Sequence, residues 1–192
     1  MKRCKLIKAI GIFITGFILL GTPCSISAQH RDESWAQPVQ GEYLKNAYKL
    51  DDKVYRSAQP SRKAFKQAKE LGITNVLNLR KRHSDRSKTV GLDLNLHHVA
   101  TEADDISEQD LIDSLRIIKD AKGPVLVHCW HGSDRTGAVC AAYRIAFQGW
   151  SKQQALQELT EGGYGYHEIY KNIIDLINSL DLEAFKQKIL AR

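Results

Sequence analysis

The chain has 192 residues, with 28 Lys and Arg against 22 Asp and Glu, a formal net charge of +6. Four of those basic residues and no acidic one fall in residues 1–28, so the remaining 164 residues carry only +2, one domain's worth of chain and enough to bury a core. So small an excess gives no argument for nucleic-acid binding, which requires a basic domain with clustered charge, and no nucleic-acid partner is expected.

The chain opens on MKRCKLIK, followed by the apolar run AIGIFITGFILL, which is too short to span a bilayer. The ending Ile26-Ser27-Ala28 suits a signal-peptidase cut before Gln29. Residues 1–28 therefore read as a cleaved secretory signal, which makes the protein exported, periplasmic or secreted, with no stable membrane insertion after cleavage. An uncleaved anchor is disfavoured by Gly11 and Gly16, and a lipid anchor on Cys24 by Thr22 and Pro23. Of Cys4, Cys24, Cys129 and Cys140, only the last two survive cleavage.

Residues 29–50 are polar with little periodicity and read as a loose lead-in followed by an ordered arm, ahead of a domain over residues 51–192. A short strand in KVYRSAQPS precedes a helix capped by Ser61, on which Ala64, Phe65, Ala68 and Leu71 recur at helical spacing until Gly72. ITNVLNLR and LNLHHVA read as strands, and Ser107 with Asp110 opens a helix striped by Leu111, Leu115 and Ile118. VLVH is an apolar strand of the buried kind, and two to four helices fill the rest, with Ser151 and Gly162 as punctuation. This alternation predicts a single α/β domain with a mainly parallel central sheet flanked by helices. In such sheets ligands bind beyond the carboxyl ends of the strands, where residues 80–91, 101–106 and 128–136 emerge on one shared edge.

The last of these, HCWHGSDRTG, carries the chemistry. A glycine loop at a helix start offers converging backbone N–H groups and partial positive charge to an anion, Gly132 permits the tight path, and Arg135 presents a planar fork to two phosphate oxygens. A thiol in that field, Cys129, is favoured as the thiolate nucleophile. Cys140, among Ala and Val on TGAVCAAYRIAFQ, reads as an inert core thiol too distant from Cys129 to bridge. His97 and His98, adjacent on a strand, point to opposite faces and cannot chelate together. Tyr164 and Tyr166 read as packing, and the basic run RKRHSDRSK at 80–88 as a solvated loop with substrate capture as its rival.

The pattern His128-Cys129-x-x-Gly132-x-x-Arg135-Thr136-Gly137 resembles the signature of the cysteine-dependent protein tyrosine phosphatase superfamily. More closely, the chain is similar to bacterial exported dual-specificity phosphatases, on VYRSAQP at 54–60, TEAD at 101–104 and YRIAFQGWSKQQALQELTEGGYG at 143–165. The resemblance implies a dual-specificity-phosphatase-like fold and hydrolysis of phosphotyrosine, and of phosphoserine or phosphothreonine, in protein substrates, through a phosphocysteine on Cys129, with no metal and no cofactor. It implies that Arg135 and the loop from Trp130 through His131, Gly132, Ser133 and Asp134 bind the phosphate, that Thr136 hydrogen-bonds the sulfur, and that His128 tunes the loop. Asp104 or Asp105 supplies the acid; the resemblance favours Asp104. Asp134 stands where phosphoinositide-directed relatives tend to carry lysine, which argues against a polyphosphate. A small-molecule or lipid phosphate is the alternative substrate. A rhodanese-type sulfur transferase would need no acid loop, and a non-catalytic phosphate-binding module usually lacks one of Cys129, Arg135 and the acid.

Overall fold

A computed structural model describes residues 31–191; the signal expected over residues 1–28 lies outside the described residues. Two two-residue strands, β1 (Gln37–Pro38) and β2 (Tyr48–Lys49), pair antiparallel, and β2 pairs antiparallel with β3 (Val54–Ser57). Then follow α1 (Arg62–Glu70), β4 (Asn75–Arg80), α2 (Arg86–Thr89), β5 (Asn95–Thr101), α3 (Glu108–Asp120) and β6 (Val125–His128). Four helices complete the described chain: α4 (Asp134–Phe147), α5 (Lys152–Glu161), α6 (Lys171–Ser179) and α7 (Leu182–Leu190). The sheet order is β1-β2-β3-β6-β4-β5, and the run β3-β6-β4-β5 is parallel throughout. The expected parallel sheet is present, extended by a short antiparallel edge into a mixed one.

β4 and β6 are buried along their whole length, as parallel strands covered on both faces are; β6 reads as an apolar run, whereas β4 also buries Asn75, Asn78 and Arg80. β6 lies between β3 and β4, so Cys129, the residue after it, leaves the sheet from an interior position. α4, which starts five residues later, is buried nearly all round and packs against β3, β6, α3, α5, α6 and α7. The loop between β6 and α4 is thus anchored at both ends in the most buried part of the molecule.

The helix starts follow their caps. Ser61 accepts from the Ala64 N–H, and Ser107 with Asp110 and Ser151 with Gln154 form reciprocal capping boxes. Among the described residues no helix is long and apolar enough to cross a membrane.

Within the lead-in, residues 31–36 are held against the domain by hydrogen bonds. Arg31 Nη1 donates to the Gly162 carbonyl (2.6 Å) and Nη2 meets Tyr164 Oη at 2.6 Å, while the Ala36 N–H donates to Glu158 Oε1 (2.6 Å). The physical reason is a buried ion pair needing further donors: Arg144 grips Glu158 through Nε (2.7 Å) and Nη2 (2.8 Å), and Tyr164 Oη adds a bond to Oε1 (2.8 Å). A carboxylate taken out of water is tolerable only when its lone pairs are satisfied, and residues 31–36 supply part of that.

Candidate active site

Cys129 is 2% exposed at the end of β6, and it and Cys140 are free thiols. Burial pushes the Cys140 thiol up to about 11, which fits an inert core residue. Gly132 is required twice over in the loop that follows. Its φ is +76°, and a Cβ there would lie 2.6 Å from the backbone of Ser57 and Ala58, at the end of β3. This close approach seats the loop on the sheet edge.

The side chains of the loop are held from outside it. Ser133 Oγ donates to the Tyr164 carbonyl (2.7 Å), and Asp134 accepts from the His167 N–H (2.9 Å) and faces its ring Nδ1 (2.9 Å to Oδ2). Asn46 bonds both the His131 and the Tyr164 carbonyls at 2.8 Å. Arg135 donates one N–H, from Nη1, to the Thr101 carbonyl (3.0 Å). The backbone N–H groups are the reverse case: among the described residues none from Trp130 through Arg135 donates to an acceptor. Amides left open in a turn that starts a helix are a ready site for phosphate oxygens.

Thr136 is fully buried, and its Oγ1 has no partner among the described residues, so the bond expected to the Cys129 sulfur is not formed. His128 is fully buried, with Nε2 2.8 Å from Asp85 Oδ2 and Nδ1 3.2 Å from the Cys129 carbonyl. Trp130 is 56% exposed at the rim rather than packed under the loop, with the Arg80 guanidinium 4.3 Å from its ring centre. His131 is exposed beside it.

Two supporting residues, Asp85 and Arg80, carry no local sequence signal of burial. Asp85 and Arg80 belong to the run expected as a solvated loop, yet both are buried, Asp85 to 4% exposure, because they complete a chain of bonds behind Cys129. Arg80 Nη1 donates to Gln59 Oε1 (3.0 Å), Gln59 Nε2 donates to Asp85 Oδ1 (2.8 Å), and Asp85 accepts from His128. Burial pushes the Asp85 carboxyl up, but the His128 bond and charge, with Gln59 and Lys88, outweigh it and hold the group below the ordinary carboxylate range. Burial and then the charge of Arg135 press the Arg80 guanidinium downward. Arg56 is buried, donates to the Gly132 carbonyl (2.7 Å), stacks 3.6 Å from the Tyr164 ring centre and pairs with no carboxylate among the described residues. It brings positive charge under the loop. The signal that flags Arg56 and Gln59 is their place in VYRSAQP, a stretch too polar for an ordinary buried strand end.

The loop between β5 and α3 holds Asp104 and Asp105, both exposed and neither with a hydrogen-bond or ionic partner among the described residues. It is tied down by its backbone, through Arg135 to the Thr101 carbonyl and Asn172 to the Ala103 carbonyl (2.9 Å), and by the Lys81–Glu102 pair (3.2 Å). All three loops expected at the carboxyl edge therefore meet around Arg135, Arg80 and Glu102. His97 and His98 bond separate partners, Asn75 and the Arg80 carbonyl, and Tyr164 packs as expected.

Comparison with known proteins agrees with this geometry. The model of a tyrosine phosphatase family matches residues 45–187. The dual specificity protein phosphatase TpbA of Pseudomonas aeruginosa is 32% identical over 177 residues, covering 90% of this chain and 80% of its own length. The crystal structure of TpbA superposes with a TM-score of 0.76 at 30% identity, over 84% of this chain and 100% of that one. A cysteine-to-serine variant of TpbA in complex with pTyr gives the same TM-score and identity, over 85% of this chain and 100% of that one. The Siw14 catalytic core, 20% identical with a TM-score of 0.68 over 78% of this chain and 93% of its own, shares the fold.

Proposed function

The chain belongs to the tyrosine phosphatase family, and from that membership we propose that it is an exported, cysteine-dependent phosphatase acting on phosphotyrosine, and on phosphoserine or phosphothreonine, in protein substrates. The observation that carries the reading is the row of amides from Trp130 through Arg135, unbonded among the described residues, next to Cys129 and ending on an arginine that has committed one of its five donors there. Three phosphate oxygens satisfy such a row.

In this reading Cys129 attacks phosphorus as the thiolate, the P–O bond to the alcohol breaks, and a phosphocysteine forms. The amides and Arg135 stabilise the charge on the equatorial oxygens. Asp104 gives its proton to the departing oxygen, and as carboxylate then takes a proton from the water that cleaves the S–P bond, releasing phosphate and restoring the Cys129 thiolate and the protonated Asp104. The buried Thr136 hydroxyl, unpartnered in this state, is available to the sulfur as it leaves. The exposed Trp130, with Arg80 against its face, offers an aromatic surface at the rim to a phosphorylated ring.

The test is hydrolysis of a small aryl phosphate in EDTA by the wild type and Cys129→Ser. Turnover by the first and none by the second supports the reading; a folded, inactive wild type, or a serine variant at full rate, overturns it. Phosphotyrosine, phosphoserine and phosphothreonine peptides then rank the substrates. Cell fractionation with N-terminal sequencing checks export, with Gln29 the expected first residue.

A further inference from the structure

His131, Asp134 and His167 each offer one metal-ligating atom, and those atoms all lie within 4.8 Å of one another. We propose that they form a binding site for a divalent transition-metal ion of the zinc class, at the edge of the Cys129 loop and built without the cysteine.

The donor set fits. Two imidazoles and one carboxylate suit zinc and its first-row neighbours, and leave a fourth position for water or a ligand oxygen. Bonds of about 2.1 Å to a tetrahedral ion set ligand atoms about 3.4 Å apart. His167 Nδ1 and Asp134 Oδ2 already lie 2.9 Å apart, and the two imidazole rings are centred 5.5 Å apart. Both histidines are exposed, so side-chain rotation closes the remaining gap without moving the backbone.

The backbones that carry the three ligands are fixed by bonds that do not involve a metal. Asn46 ties the His131 carbonyl to the Tyr164 carbonyl, and Ser133 Oγ ties the same Tyr164 carbonyl to the start of α4. The His167 N–H holds Asp134 Oδ1 at 2.9 Å, which orients the carboxylate and leaves Oδ2 to the ion. Asp134 is buried while the two histidines face solvent, so one ligand is anchored and the ion's entry path is open. The rival account of the same contacts is a plain tie between the loop and residues 162–170, with Asp134 accepting from His167 and no ion.

The test titrates Co2+ into the protein by visible absorption, then displaces it with Zn2+, using Cys129→Ser so that the thiol cannot be a ligand. His131→Gln and His167→Gln each remove an imidazole, and the side-chain amide that the latter introduces can still donate to Asp134, preserving the tie; His97→Gln is the control. Melting curves establish that each variant is folded. The expected result is one saturable Co2+ site in Cys129→Ser and in the control, weakened roughly tenfold or more by each ligand variant, a loss at least as large as that from deleting an outer-shell partner. Absence of binding up to millimolar Co2+ in Cys129→Ser, or equal binding in both ligand variants and the control, overturns the proposal and leaves the tie.

Discussion

In the Cys129 loop, the side chains of Ser133, Asp134 and Arg135 are all hydrogen-bonded, and Arg56 and His128 brace the backbone from buried positions; in the loop of residues 102–106, Asp104 and Asp105 stand exposed, with no partner among the described residues. In the proposed function the first region holds groups that meet a fixed charge distribution, and fixed dipoles are most effective when they need no reorganisation. In the proposed mechanism the second holds a group that must exchange a proton with substrate and water, and a carboxyl locked into internal bonds could not. The difference teaches where substitutions should register: in stability on one side, in rate on the other.

The largest expected effect lies on the exposed side. Asp104→Asn should slow hydrolysis of an aryl phosphate by roughly 10²- to 10⁴-fold, the usual contribution of a general acid. Its melting temperature should stay close to the wild type, since surface changes are usually worth within about 0.5 kcal/mol. Asp105→Asn should leave the rate within a few-fold. If the two variants exchange places, Asp105 is the acid. If Asp104→Asn also unfolds the protein, the contrast between the loops fails.

Next is the buried side. Glu158→Ala strands Arg144, the Ala36 N–H and the Tyr164 hydroxyl together. Breaking one member of a buried pair typically costs about 3–5 kcal/mol. In a domain of this size that is a fall in Tm on the order of 10 °C. Tyr164 also stacks on Arg56, which holds Gly132, so the variant measured well below its Tm should show a smaller loss of rate than Asp104→Asn. A Tm within a degree or two of wild type would show that the pair stabilises nothing.

Much of this division is legible in the sequence, and what is not has a common cause. Ser61, Ser107 with Asp110, and the apolar run VLVH announce themselves within a few residues, as does the loop from His128 to Gly137, because caps, buried strands and anion loops are local devices. β1 and β2 are too short to show a period of two, so the antiparallel edge reads as lead-in. Asp85 sits amid basic residues and is identified as buried only by its bond to His128, 43 positions away. Weighing His97 with His98 for a metal follows adjacency in the chain, whereas His131 and His167 meet only through folding. Sequence order carries local chemistry well; pairings across the fold have to be seen.

The smallest effect tests whether Asp85 belongs with the braced side. Its carboxyl is held below the ordinary range in the folded protein. A group with a depressed folded pKa contributes stability that is complete above its unfolded value, near 4, and is lost as pH falls through the folded value. Asp85→Asn should therefore be less stable than wild type at neutral pH by about 1–3 kcal/mol, the scale of a hydrogen bond to a charged group. The gap should close on acidification from about pH 5 toward pH 3, because the wild type loses what the variant never had. Glu158, also held low in the folded state, gives both proteins a shared acid sensitivity that cancels in the comparison. A gap that persists at low pH would mean that Asp85 acts by shape alone, and that the bond to His128 fixes the Cys129 backbone without any contribution from charge.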